Sequence, residues 1–244
     1  MTRFFIGTSG WQYKHWRGRF YPPDLKTAAW FNYYAQRFQT VEVNNSFYRQ
    51  PSDDTWKHWA EDAPPGFRYA VKANRFITHI KRLNDVDEPL ERFFKGANHL
   101  GRTLGPVLFQ TPPNFRRSPE NGARLEHFLS LLPHGNRSVI EFRHNSWFGD
   151  ETLDLLRRNR VAFCSYDMPK VDCPLTTTSS LAYIRMHGSE SIYASNYTDE
   201  MLRSWAAKLR ALGGDADEVW VFFNNDAQAF AVQNAMHLRE LIEA

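Results

Sequence analysis

The chain has 244 residues, 30 Lys and Arg against 27 Asp and Glu, two cysteines, and 42% apolar residues, with aromatics at 15%. That aromatic content excludes a disordered chain, and two cysteines exclude a disulfide scaffold; a chain this long removes about 70–75% of its unfolded surface from water without such staples. No apolar run reaches the roughly 20 residues of a membrane helix, Met1–Gly7 is too short for a secretory signal, and a net charge of +3 is too mild to demand nucleic acid, so a cytoplasmic domain spanning 1–244 with no membrane partner is expected.

Eight short runs rich in Val, Ile, Phe and Tyr predict strands at Phe4–Thr8, Thr40–Val43, Phe67–Lys72, Pro106–Gln110, Ser138–Phe142, Val161–Tyr166, Leu181–Met186 and Val219–Phe223. Between them the apolar period changes to 3.6. Phe31, Tyr34, Ala35 and Phe38 form one helical stripe. Trp56, Trp59, Ala60 and Ala63 form a second, with Ser52 as its N-cap and Asp53 and Asp54 in the first turn. Leu90, Phe93, Phe94, Ala97 and Leu104 follow, entered through Pro89. Then come stripes at Leu125–Leu132 and, more briefly, Leu153–Leu156. Thr198 caps a stripe through Met201, Trp205 and Leu209 that Gly213-Gly214 stops, and Ala231–Ile242 closes the chain. Residues 168–180 hold Pro169, Pro174 and a Thr/Ser run, so the sixth helix is irregular or missing. Eightfold strand–helix alternation predicts an α/β fold, a single (β/α)8 TIM-type barrel, ahead of a doubly wound open sheet.

Alternation within each strand then sorts inward from outward residues. Val41 and Val43 leave Glu42 and Asn44 inside. Tyr69 and Val71 leave Lys72 and Asn74 inside; Val107 and Phe109 leave Gln110; Ile140 and Phe142 leave Glu141 and Arg143. Asp167 shares parity with Ser165 and is read as inward, with Cys164 turned to the helices as a core thiol. Ile184 and Met186 leave Arg185 and His187 inside, and at the end of the eighth strand Asn224 or Asn225 points in. Polar residues thus gather at the C-terminal ends of the strands, where barrel enzymes carry their chemistry. Glu42, Glu141 and Asp167 against Lys72, Arg143 and Arg185 make three charges of each sign. The bland reading is a neutral plug, which burial makes costly compared with apolar packing.

The loops over that face point to an anionic ligand. The long first loop, Ser9–Leu25, interleaves Trp11, Tyr13 and Trp16 with Lys14, His15, Arg17 and Arg19, and later loops carry Arg75, His79, Lys81, Arg82, Arg116 and Arg117. Trp11, Tyr13 and Trp16 are the expected stacking surface of a lid, against the alternative that they pack the lid onto the rim. His187-Gly188-Ser189 and Asn224-Asn225 follow strands seven and eight, a common phosphate position in barrels. Gly7 and Gly10 read as backbone-permissive residues at a tight strand exit. Phosphate-cradling glycine motifs are absent, so no nucleotide cofactor is expected. Glu42, Glu141, Asp167 and His187 are the candidate ligands of a divalent metal, if one is used. Without a metal, Glu42 and Glu141 form an acid/base pair beside Lys72 and His187.

Gly7-Thr8-Ser9-Gly10-Trp11, Trp16-x-Gly18-x-Phe20-Tyr21-Pro22, Val41-Glu42-Val43-Asn44-x-x-Phe47-Tyr48, Val71-Lys72, Gln110-x-Pro112, Glu141-Phe142-Arg143 with Ser146-Trp147, Arg185-x-His187-Gly188 and Phe223-Asn224-Asn225 stand in one order from about residue 4 to the end. Together they resemble the YecE-like family, domain of unknown function 72. The resemblance implies a TIM-type barrel and no particular reaction. Such a barrel is similar to those of the sugar-isomerase and apurinic-endonuclease group, which hold metals at the C-terminal face with His-rich ligand sets; this chain offers one well-placed His.

The expected function is a hydrolase-like enzyme acting on a phosphorylated or other small anionic substrate, or on nucleic acid, at the C-terminal mouth. In that reading Glu42, Glu141, Lys72 and His187 are catalytic, and Trp11, Tyr13, Trp16, Asn44, Asn74, Gln110, Arg143, Asp167, Arg185, Asn224 and Asn225 hold the substrate. A non-catalytic nucleic-acid or anion-binding module is the second expectation, and a carbohydrate-active enzyme using the Glu pair the third.

Overall fold

A computed structural model describes residues 2–133, 135, 137–188, 191 and 193–244. Eight strands form one parallel sheet: β1 (Arg3–Thr8), β2 (Thr40–Val43), β3 (Arg68–Lys72), β4 (Leu104–Gln110), β5 (Ser138–Glu141), β6 (Ala162–Asp167), β7 (Leu181–Met186) and β8 (Glu218–Phe223). The order is β1-β8-β7-β6-β5-β4-β3-β2, and a single bridge between Ser9 and Glu42 draws β1 against β2 to close the cylinder. This is the (β/α)8 barrel that the alternation predicts. Gly7 is needed at the β1–β2 seam for closeness rather than for an unusual dihedral, since a Cβ there would collide with the Thr40 carbonyl oxygen. Gly10 meets the expectation, with φ of 95° at the strand exit.

The helices are α1 (Trp30–Ala35), α2 (Asn45–Tyr48), α3 (Asp53–Asp62), α4 (Asp87–Ala97), α5 (Pro119–Leu131), α6 (Asp150–Arg158), α7 (Asp199–Gly213) and α8 (Phe230–Glu243). Ser52 caps α3 by accepting from the Thr55 N–H at 3.2 Å, and Thr198 caps α7 by accepting from the Met201 N–H at 3.2 Å. No helix forms between β6 and β7, where hydroxyl side chains donate to local carbonyls instead, Ser165 to Pro174 and Thr177 to Ser179. No helix among the described residues is long and apolar enough to cross a membrane.

Two apolar layers meet at the strands. The larger lies between sheet and helices. The smaller fills the lower barrel with Ala70, Leu108, Val139, Tyr183, Trp220 and their neighbours, and Phe5 stacks on Trp220 at 4.0 Å. Cys164 belongs to this interior layer, which corrects the parity expected for β6: Cys164 and Tyr166 face the axis, while Ser165 and Asp167 face away. The strand carries Phe163 on its helix-facing side, and that ring fixes the register for its neighbours.

The first loop is part of the fold rather than a cover over it. Trp16 is fully buried and donates from Nε1 to the Asp226 carbonyl at 2.9 Å, which ties the loop after β1 to the loop after β8. Trp11 is buried against Phe31 and Trp59, and Tyr21 stacks on Trp30 at 4.6 Å.

Candidate functional site at the barrel mouth

Glu42, Glu141 and Arg185 converge at the barrel axis and are completely buried. The Arg185 guanidinium donates to both oxygens of Glu42, from Nη2 at 2.7 Å and Nε at 3.0 Å, and from Nη1 to Glu141 at 2.9 Å. Ser9 Oγ adds a donor to Glu42 Oε1 at 2.8 Å, and the Tyr183 hydroxyl one to Oε2 at 2.7 Å. Gln110 Nε2 donates to Glu141 Oε1 at 3.0 Å, Arg143 pairs with the same oxygen, and the Cys164 thiol lies 3.9 Å from Oε2. Every carboxylate oxygen therefore has two partners. Burial alone would push both carboxyls up, but for Glu42 the paired Arg185, and for Glu141 first Arg143 and then Arg185, hold them below the usual carboxylate range. Carboxylates held ionised in this way carry no proton to donate, take one up only reluctantly, and keep no lone pair for a metal.

Lys72 is different. It stands two residues nearer the mouth than Ala70, the register partner of Glu42, and only 9% of it is exposed. Its Nζ sits 4.1 Å from the centre of the Phe47 ring, and among the described residues it has no hydrogen bond or ion pair. Burial, then the nearby Arg185, lowers its pKa to about 8. It opens into a cavity of about 370 Å³ whose walls include Tyr13, Asn44, Gln110, Arg143, Asn224 and Asp226. A recess of about 150 Å³ adjoins it, sharing Tyr13 and Asn44. The Asn44 amide oxygen is buried without a hydrogen-bond partner among the described residues.

His187 closes one side of the site. Arg143 Nη2 lies 3.0 Å from Nε2, and a guanidinium can only donate, so Nε2 accepts and the ring proton resides on Nδ1. The Asn224 Nδ2 lies 3.0 Å from Nδ1, and since a proton on Nδ1 needs an acceptor there, this tautomer assigns the amide the turned-over orientation that presents its oxygen. Burial, then Arg185 and Arg143, hold the imidazole neutral by pushing its pKa well down.

The cavity thus unites Lys72, Arg143, Arg185, Gln110, Asn44, Asn224 and Tyr13 from the residues singled out in the sequence, with Glu42, Glu141 and His187 beneath or beside them. Five others lie elsewhere. Asp167 accepts from the Tyr197 hydroxyl at 2.8 Å on the outer side of β6. Asn74 is spent on the backbone, donating to the Ser46 carbonyl and accepting from the Phe76 N–H. Asn225 is buried beneath α8, donating to Ser195 O and Asn234 Oδ1. Trp16 is sealed in the fold and Trp11 is 5% exposed, so of the three expected stacking rings Tyr13 alone reaches the main cavity. Ser189 lies outside the described residues.

With Asp167 removed, the proposed metal quartet does not assemble, and no group of three His, Cys, Asp or Glu among the described residues has ligand geometry. The balance at the floor becomes two carboxylates against three cations. Asp226 sits at the rim, its carboxylate 3.5 Å from His15. Sequence reasoning missed Tyr183, Ser9, Tyr193 and Asp226. Parity with Arg185 points to Tyr183, two residues before it. Tyr193 and Asp226 sit in loops where alternation carries no information.

A model of the family described as protein of unknown function DUF72 matches residues 5–244. The UPF0759 protein YunF of Bacillus subtilis is 27% identical over 98% of this chain and 94% of its own length, and the UPF0759 protein YecE of Escherichia coli K12 is 27% identical over 72% of each. Among solved structures, a DUF72 family protein of Thermotoga maritima is similar with a TM-score of 0.90 at 31% identity, covering 99% of this chain and 100% of its own. One from Enterococcus faecalis gives 0.87 at 19% identity over 99% and 96%, a likeness of fold alone. Motif order, barrel and whole-length match agree, and the chain belongs to the DUF72 family, proteins of unknown function.

Proposed function

We propose that this barrel is an enzyme acting on a small anionic substrate in the cavity at its C-terminal mouth. One observation carries the reading: the nearly buried Lys72 ammonium faces that cavity with no ion pair among the described residues. Burying an unpaired charge is costly, and an apolar side chain would plug the same space more stably. A phosphate or carboxylate placed there supplies the missing partner, with Arg143 beside it as a second cation and the Asn44 oxygen ready to accept from a substrate hydroxyl or amine. The cavity volume suits a metabolite rather than a polymer chain.

The acid/base role expected for Glu42 and Glu141 is not part of this proposal, because both are saturated by Arg185 and its neighbours. The same saturation weighs against a glycosidase pair, whose acid must release a proton. Nucleic acid stays as a second reading on one observation: Tyr48, 71% exposed, and Tyr193, 43% exposed, present rings at the rim that would stack on bases.

Thermal shift with inorganic phosphate, small carboxylates and phosphorylated metabolites tests the proposal. Anions are expected to stabilise the native protein, with affinity falling at least tenfold in Lys72→Met. A native protein indifferent to every anion, or a variant that responds equally, overturns it. Tight oligonucleotide binding that falls steeply with salt and survives Lys72→Met favours the second reading.

A further inference from the structure

We propose that Lys72 is a covalent catalyst: its amine condenses with an aldehyde or ketone group of the substrate, so that the substrate class is an anionic carbonyl compound. The inference rests on the reading of the mouth as an anion site and specifies what Lys72 does there.

The geometry supports an amine that reacts rather than one that only attracts. Arginine is the better group for gripping a phosphate or carboxylate, since its fork makes two hydrogen bonds, and Arg143 already lines the cavity. A lysine buried beside guanidinium groups is instead placed to shed its proton, the arrangement that makes lysines nucleophilic. The groups facing Lys72 are Glu42 from β2, Glu141 from β5, Arg143 just after β5, Arg185 from β7, His187 just after β7 and His79 after β3. Both carboxylates are committed to arginines, and both imidazoles are held neutral. None of them ties Lys72 down. With a pKa of about 8, roughly a tenth of the molecules carry the free amine at pH 7.

Other nucleophiles near the floor are blocked. The Cys164 thiol is fully buried against Glu141, and its pKa is far above that of an ordinary thiol. Ser9 Oγ donates to Glu42, and the Tyr13 hydroxyl donates to the Ser9 carbonyl at 2.5 Å.

In the step itself, the Nζ lone pair forms a C–N bond to the carbonyl carbon and the C=O π pair moves to oxygen. That oxygen takes two protons in turn from the nitrogen side and leaves as water. The balance is an ammonium ion plus a carbonyl compound giving a protonated imine plus water. The imine draws electrons from bonds at the adjacent carbon, and hydrolysis returns the amine. Arg143 and the Asn44 oxygen flank the rest of the substrate.

The test incubates the full chain with glyoxylate or pyruvate and sodium cyanoborohydride, which reduces an imine to a stable secondary amine. Intact mass and peptide mapping then read the adduct. A single adduct on the peptide bearing Lys72 is expected, forming at least tenfold faster than on any other lysine, with a rate that rises through pH 8. Lys72→Arg should abolish it while keeping the phosphate-induced thermal shift; Lys72→Met, which removes the charge as well, should lose both. Adducts spread over surface lysines, or unchanged in Lys72→Arg, overturn the imine. Loss of the phosphate response in the native protein overturns the anion site beneath it.

Discussion

The Glu42–Arg185–Glu141 assembly and the Lys72 ammonium share one end of one barrel, yet they are treated in opposite ways. In the assembly each carboxylate oxygen has two partners, and the three ionised groups are fully enclosed. Lys72, almost as deeply buried, faces open space with an aromatic ring at its side. The first arrangement closes the top of the apolar interior with charges that satisfy one another. The second leaves a charge without a partner among the described residues, where an anionic ligand would supply one. Charge at a barrel mouth is therefore no sign of a site by itself; an unsatisfied charge is.

Three experiments press on this contrast. The largest effect is expected from Arg185→Met, which strands two buried carboxylates and should cost about 3–5 kcal/mol in denaturant unfolding. A loss below about 1 kcal/mol would show that the assembly is not what holds the mouth together.

Lys72→Met should act in the opposite direction. The folded pKa, about 8, lies below the ordinary 10.5, so the unfolded chain binds the proton more tightly and the fold is penalised at neutral pH. Removing the amine should therefore add about 2–3 kcal/mol at pH 7, read as a melting temperature raised by about 4–10 °C. The gain should shrink as pH rises from 8 and vanish above about 10.5, where neither state of the native lysine is charged. A variant less stable than the native chain at pH 7 would mean that Lys72 has a partner after all.

The smallest effect concerns acid. His79, lowered to about 4 chiefly by burial, and His187, held well below its ordinary value chiefly by burial, are neutral in the fold. Because their folded values lie below the unfolded one, their contribution is complete above about pH 6.5 and is lost as pH falls toward 4. The carboxylates of the assembly, also held low, should give way only at more acid pH. A melting temperature that is flat from pH 6.5 to 4 would contradict neutral imidazoles beside Lys72.

Much of this was legible in the chain. Strands β2 and β7 begin and end where their apolar runs do, and the Ser52 and Thr198 caps stand where the pattern places them. Parity located Glu42, Lys72, Glu141 and Arg185 correctly because each neighbours residues that are plainly apolar. It failed on β6, where both faces are buried and Phe163, Cys164 and Tyr166 give no contrast between inside and outside. The first loop misled for a related reason. Interleaved aromatics and cations look the same whether the rings await a ligand or pack against Phe31 and Trp59, and burial alone distinguishes the two.

What the sequence by itself determined is the barrel and the end of it that carries charge, since both follow from periodicities of 2 and 3.6 that each segment expresses without reference to the rest. Which charges are quenched and which is left waiting was decided only by tertiary structure. Pairing at the axis depends on the side chains that eight separate strands bring within hydrogen-bond reach, and no local pattern records that one arginine takes both glutamates and leaves Lys72 unpaired among the described residues.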